Sequence, residues 1–544
     1  GYNTAIGFEA LKTLNAGADA YNTAVGFQAA RLMSTGVNNT IVGALAGDAL
    51  TTGVRNTAIG LGALSTEDTG SRNVAVGWYA LVNQDYDGTA YNTAVGYNAG
   101  GAVSTGIQNT VLGGLAGDAL TTGSDNVAIG YYSMSADDAG GRSVAVGSHA
   151  LTNQNGGSLH VYNIGIGYNA GASITNATQN TIIGGLAGDA LTEGSNNTAL
   201  GYGALGSEDT SSYAVAIGHN ALATQNAPSD TYNVAVGKSA GYAITTGTTN
   251  TLIGGQAGDA LTTSGANVAV GYQALSTEDT TGGVTAIGYQ ALKTQNASST
   301  SYNVAVGYQA AKEVTTGVGN SIVGGAAADA LTTGSYNVAM GSFALSVEDT
   351  GSRSIAIGYA ALENQNNDDD NYNVAVGHNA GKMISTGTHN SIVGGLAGDA
   401  FTTGDRNVAI GYSALTSEDT GSRSTAVGYF ALADQNNDST NYNTALGYAA
   451  GENISSGVFN TVLGALAGDA ITGGTNNVVI GYNSAVATNG SNQIVIGSNA
   501  QAVNGSNGIT LGDSNITYFQ CQVQTITALS DKRDKTNIED SQYG

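Results

Sequence analysis

A five-residue motif, Asn-[Thr/Val]-Ala-[Ile/Val]-Gly with small variations, recurs from one end of this chain to the other. Its closing glycines fall at Gly7, Gly26, Gly43, Gly60, Gly77, Gly96, Gly113, Gly130, Gly147 and Gly167 and continue to Gly512, thirty in all. Most intervals are 17 residues, and every fourth is 19 or, once, 20. The unit is three rungs of 17 residues and one of 19, a period of about 70. Strict repetition on this scale points to an extended repeat architecture rather than one compact core.

One unit displays the four rungs: "HNAGKMISTGTHNSIVG" (378–394), "GLAGDAFTTGDRNVAIG" (395–411), "YSALTSEDTGSRSTAVG" (412–428) and "YFALADQNNDSTNYNTALG" (429–447). Each carries a short alternating strand such as "NVAIG", in which Val408 and Ile410 point one way and Ala409 the other. A second apolar stretch, "YSAL" or "GLAGDAF", reads as a second strand. A turn rich in Gly, Asn, Asp, Ser and Thr follows. Nothing has helical period over ten or more residues. The pattern predicts an all-β fold, a β-solenoid or parallel β-roll of about thirty rungs. Stacked about 4.8 Å apart, the rungs would form a rod on the order of 140 Å long. With 82 Gly and only 7% aromatic residues, each coil encloses little apolar volume. Ala and Gly fill one side of the strand, and the Val/Ile side needs a partner. A closed oligomer supplies one, and a symmetric homotrimer is the natural solution.

The rung motif, as in "NVAVG" (73–77) and "NTAVG" (92–96), resembles the head repeats of YadA-type trimeric adhesins, over roughly residues 1–512. The resemblance implies a left-handed parallel β-roll assembled as a homotrimeric rod. The same repeat style occurs in trimeric bacteriophage tail fibres. Adhesin heads usually have shorter rungs, so the turns here are longer than that pattern implies.

Residues 1–481 form the repetitive shaft. After Gly481 the interval contracts to 16 and then 15, and from Asp513 the motif stops. Residues 482–529 are expected to be an irregular distal cap. Its Asn- and Ser-rich turns, with Asn504, Asn507, Tyr518 and Phe519, form a mix suited to sugar hydroxyls and faces. Residues 530–544 are abruptly charged. "SDKRDKTNI" resembles the junction before the endosialidase-type intramolecular chaperone of phage tail fibres and tailspikes, a pattern Ser-Asp-x-Arg-x-Lys-x-x-Ile met by Ser530, Asp531, Arg533, Lys535 and Ile538. The resemblance implies a chaperone that registers the trimer and is then released by self-cleavage. Ser530 would be the nucleophile and Lys535 the base. A solvated charged linker is the bland alternative. The chain begins without an initiator Met, and we read it as a fragment or processed piece.

Other chemistries find little support. A net charge of −25 argues against nucleic acid as a partner. No apolar run approaches the roughly 18 residues of a membrane span, so insertion is not expected. Five His and one Cys offer no zinc spacing and no intrachain disulfide. "GIGYNAG" (165–171) has no helix to follow it, so it is not a nucleotide loop. No cofactor or metal is expected. The recurring "GDA" aspartates, Asp48 to Asp469, and the "ED" pairs such as Glu67 with Asp68 read as solvated or turn-capping groups, with calcium the lesser alternative. Tyr91, Tyr162, Tyr232, Tyr302, Tyr372 and Tyr442 read as covers over the end of the long rung's loop. The variable loop interiors, "NQDYDGTA" (83–90) and "NQNNDDDN" (364–371), read as surface. An ice-binding role, suggested by "LTTG", is set aside because no flat Thr-x-Thr array recurs. The expected function is a phage tail fibre on the virion, attached to other tail proteins and binding a host-cell glycan or protein receptor. A bacterial surface adhesin is the alternative.

Overall fold

A computed structural model describes residues 1–520 apart from 18, 158–159, 503–504 and 519. The chain divides into two units, Gly1–Tyr412 and Ser413–Gly544. The first carries twenty-four three-residue strands, from β1 (Thr4–Ile6) to β24 (Val408–Ile410), and the second carries six, from β25 (Thr425–Val427) to β30 (Ile509–Leu511). Within each unit every strand pairs in parallel with the next. Thus Thr57, Ala58 and Ile59 of β4 (Thr57–Ile59) stand opposite Val74, Ala75 and Val76 of β5 (Val74–Val76). The ladder continues through the contracted intervals: β29 (Ile494–Ile496) pairs with β30, Ile494 opposite Ile509. No helix occurs among the described residues. The protein is a parallel β-solenoid of about thirty turns, as the period requires.

Each rung contains one strand, not two. The second apolar stretch is a run of turns. In "WYAL" (78–81), Tyr79 and Leu81 adopt φ of 56° and 49°. These left-handed residues bend the chain where continuous extension would have carried it past the core. Their N–H groups are still used between rungs. Tyr79 N–H donates back to Leu61 C=O at 3.0 Å, and Leu81 N–H donates forward to Ala99 C=O at 3.0 Å. Stacking thus supplies partners on both sides without a second ladder.

The middle residue of every strand from β2 to β29 is buried, and it is most often Ala. Where it is larger, space is made nearby. Val111 and Leu120 share the interior with Gly117, whose added Cβ would lie 2.9 Å from Leu120 Cδ1. The strand-closing glycines are demanded by the next rung. Gly60 has φ +134°, and a Cβ there would sit 2.3 Å from Gly77 O.

The motif's leading Asn, to which the sequence pattern alone assigned no role, forms a buried ladder. Asn109 Oδ1 accepts from Asn126 N–H at 3.1 Å, and Asn109 Nδ2 donates to Gly123 C=O at 2.8 Å. Asn126 repeats this, with its Nδ2 donating to Gly140 C=O at 2.9 Å. One side chain therefore satisfies two backbone groups of the following rung that have no other use inside the coil.

Asn109→Ala removes both bonds and leaves the Asn126 amide and the Gly123 carbonyl buried and unpaired, at about 1–3 kcal/mol each. Because a repeat's stability is shared mainly with its neighbours, amide hydrogen exchange should accelerate near residues 106–130 and stay unchanged beyond residue 250. Unaltered protection near Asn126 would refute the ladder's role.

Candidate functional site

The outward side of the strands is the most extensive candidate surface. Every one of the thirty strands ends in Ile, Val, Leu or Met, and none of these side chains is buried. Ile59 is 37% exposed and Leu112 44%. Thr, Val, Ser or Ile stands two residues earlier on the same side. Alternation along a three-residue strand dictates this: with the middle residue inside, the first and third must face out.

Beside this aliphatic column the residue that follows each strand glycine forms a second one, aromatic in most rungs. Tyr272 stacks on Tyr289 at 5.7 Å between ring centres, and Tyr289 on Tyr308 at 5.3 Å. In the second unit Tyr429 stacks on Tyr448 at 5.4 Å. On the far side of the strand, just before the ladder position, a second set of rings is exposed. Tyr213 stacks on Tyr232 at 5.2 Å, and Arg142 Nη1 donates to Tyr162 OH at 2.7 Å. The tyrosines expected to cover the long loop belong to this set. Tyr302 is 71% exposed, so they stand outside the loop and pack along the stack. Their positive φ, 51° at Tyr302 and 54° at Tyr91, turns the ring outward.

The acidic pairs divide in two. Their first members, Glu67, Asp137, Glu208, Glu278, Glu348 and Glu418, are buried and cap turns rather than being solvated. Glu348 Oε1 accepts from Gly351 N–H at 2.7 Å. Its Oε2 accepts from Gln365 Nε2 at 2.9 Å and Asn371 Nδ2 at 3.1 Å. Gln365 is itself buried, and its Oε1 accepts from the ladder residue Asn373 at 2.9 Å. The Gln of the loop opening "NQ" and the loop's last residue, Asn371, are thus internal ties, and only the segment between them is surface. At the rung before the long loop the first full unit keeps the ladder through Asn73, and the later units lose it. Ser143, Ala214, Val284, Ser354 and Ser424 stand there in the later units, each with a buried carboxyl–glutamine pair nearby. The sequence signal was present: Gln at a constant position inside an otherwise variable loop.

Burial pushes the Glu67 carboxyl up to about 7, offset in part by the Gly70 and Tyr86 N–H groups and reinforced by Asp85 and Asp68. Burial also raises Asp137 and Glu418. The "GDA" aspartates Asp48, Asp118, Asp189, Asp259 and Asp329 are half-buried, and burial raises them as well. Carboxylate oxygens of Glu67, Asp68 and Asp85 lie within 4.8 Å of one another. The other units carry Asn155, Asn226, Asn296, Asn366 and Asn436 where Asp85 stands, so the trio is not a repeated feature.

Of the residues expected to bind a receptor, Asn507 and Tyr518 are exposed, Tyr518 at 75%. Asn507 Oδ1 accepts from Asn492 Nδ2 at 2.9 Å, continuing a surface stack between rungs. Asn504, Phe519, Ser530 and Lys535 lie outside the described residues. The chain matches no family model, and no curated protein matches it.

The folded Glu67 carboxyl holds its proton more tightly than an unfolded one, whose ordinary value is 4.5. Its contribution to stability is therefore fully present below about 4.5 and is lost as pH rises through about 7. The melting temperature should fall between pH 5 and pH 8. Glu67→Gln should flatten that slope, most clearly in hydrogen exchange around residues 67–86. A slope identical in wild type and variant would show that Glu67 is not titrating.

Proposed function

We propose that this chain is the shaft of a trimeric phage tail fibre, which holds a host-binding tip away from the virion. In this reading, trimer folding is completed by a chaperone that begins at Ser530. The observation that carries it is the uninterrupted aliphatic column on the outward face. Twenty-four such side chains in the first unit expose apolar area on the order of 1,000 Å². The largest patch on an ordinary monomer is about 300–600 Å², and a stable interface takes about 800 Å² per partner. Covering that column requires other chains, and a closed ring of identical copies covers it on every copy at once. The likeness of the motif to trimeric adhesin and tail-fibre repeats supports three as the number. The acidic exterior suits an extracellular fibre that must stay soluble.

A regular shaft presents the same surface in each unit, so selective recognition belongs to a region that is not repeated. In this chain the rungs contract and then stop within residues 482–529, and Asn507 and Tyr518 are exposed there. A host-surface glycan is the partner its Asn-, Ser- and Tyr-rich turns suit best.

Light scattering or native mass measurement of the purified chain should give three copies. A stable folded monomer would overturn the fibre reading and leave a single-chain solenoid. Grafting residues 482–529 onto a related shaft that keeps its own chaperone should transfer adsorption to host cells. Host preference that stays with the shaft would remove the tip from the proposal. A full-length gene ending in a membrane-barrel anchor rather than a chaperone would reassign the fibre as a bacterial adhesin head.

A further inference from the structure

The aromatic column beside the aliphatic one is interrupted at regular intervals. Ala44, Gly114, Gly185, Gly255, Gly325 and Gly395 occupy it in one rung of every four in the first unit. We propose that these interruptions are notches that receive a large side chain from a second copy of this chain, and so fix the axial register in which the copies assemble. The proposal rests on the oligomeric reading above.

Nothing inside the chain calls for glycine at these positions. The strand-closing glycines have φ in the left-handed region, and a Cβ would lie only 2.0 Å from the next rung's carbonyl at Gly428 and 2.7 Å at Gly464. The notch glycines have neither feature. A Cβ on Gly114 would meet only Tyr131, at 3.7 Å, and one on Gly185 only Tyr202, at 3.6 Å, both ordinary contacts. The coil also accepts rings at this position in successive rungs, since Tyr272, Tyr289 and Tyr308 stack there without a break. Nor does simple repetition hold the column constant. The next rung carries Leu61, Tyr131, Tyr202, Tyr272, Ser342 and Tyr412 in successive units. A residue that neither the backbone nor the packing of its own chain requires, and whose flexibility costs stability, answers to something outside that chain.

The size of the opening fits one side chain. Tyr97 and Tyr131 flank Gly114 two rungs apart, about 9.6 Å at the usual rung spacing. Neighbouring rings elsewhere in the column stand 5.3–5.7 Å apart. The rung between them carries no ring of its own, and the Tyr131 ring borders the gap, 3.7 Å from where a Gly114 Cβ would lie. The period identifies the occupant. Notches recur every 70 or 71 residues, the unit length of this chain, and a second copy repeats on the same interval. They lie two residues beyond the aliphatic column, whose exposed area already exceeds what a stable interface takes.

The aliphatic column looks alike at every rung, so by itself it would let neighbouring copies slide by one, two or three rungs at little cost. A large side chain that meets a notch in one alignment and, in the others, a column that most often carries a ring removes that freedom. This is the solenoid counterpart of the devices that pin strand register and coiled-coil alignment.

The test is to fill four notches at once, with Gly114→Leu, Gly185→Leu, Gly255→Leu and Gly325→Leu. Leu already stands in this column at residue 61. Ser342→Leu, in the same column but outside the notches, is the control. A spin label on Thr122→Cys, in a Cys521→Ala background, reads the distance between copies. Wild type and control should give one distance. The filled variant should keep the single-chain circular dichroism. It should either associate about tenfold or more weakly or give several distances separated by multiples of about 4.8 Å. A filled variant with wild-type association and a single distance would overturn the notch proposal while leaving the oligomer intact. If the filled variant fails to fold, the four corresponding Gly→Phe single variants are measured instead, with the same two readouts. A wild-type chain that stays monomeric would defeat the oligomeric reading itself and the notches with it.

Discussion

The buried asparagine ladder is the interaction on which the rest of this solenoid depends. A coil of 17 residues must turn sharply to return to its starting point, and turning leaves backbone groups pointing inward with no strand partner. An unpaired amide or carbonyl in an apolar interior costs more than a coil this thin can recover from burying Ala. Asn resolves this with one short side chain, because it offers an acceptor and a donor in a fixed geometry. Asn92, Asn109 and Asn126 each hold the backbone of the rung that follows. The rung length is then set by the requirement that each Asn fall directly over the last. Where Ser replaces the ladder Asn, the interior stays polar. Glu348 with Gln365, and Glu418 with Gln435, supply the missing donors and acceptors, and that substitution is confined to the boundary with the longer rung.

The same thinness decides what faces outward. Ala at the strand centre permits the two sides of a coil to approach closely, and the glycine that closes the strand permits the next rung to approach its carbonyl. Neither leaves room inside for the branched side chains on either side of the Ala. These are forced to the exterior together with the rings that follow the glycine. An outward face that is aliphatic at every strand end is a consequence of a small interior, and it commits the chain to being covered by other chains.

The repeat period, its subdivision into four rungs, the parallel solenoid and the outward Val/Ile side were all legible in the sequence. Each is a local consequence of spacing: a period of 2 within the strand fixes which residues share a side, and glycine at a constant point marks a backbone conformation or a close approach. The long-rung loop was legible only in part. Its variable middle marked it as surface, but the constant Gln inside it was a signal of burial.

What the tertiary structure alone decided was which polar residues are interior. Asn, Glu and Gln look alike whether they sit in solvent or in the core, because their role depends on groups 14–23 residues away that only stacking brings within reach. The same is true of the second apolar stretch. Its composition suits a strand, and only the alternation of left-handed residues, imposed by closing the coil, makes it a run of turns. The sequence by itself determined the periodicity and therefore the solenoid. Contacts between rungs determined the polar interior, because a pattern along one rung carries no information about the rung above it until the register between them exists.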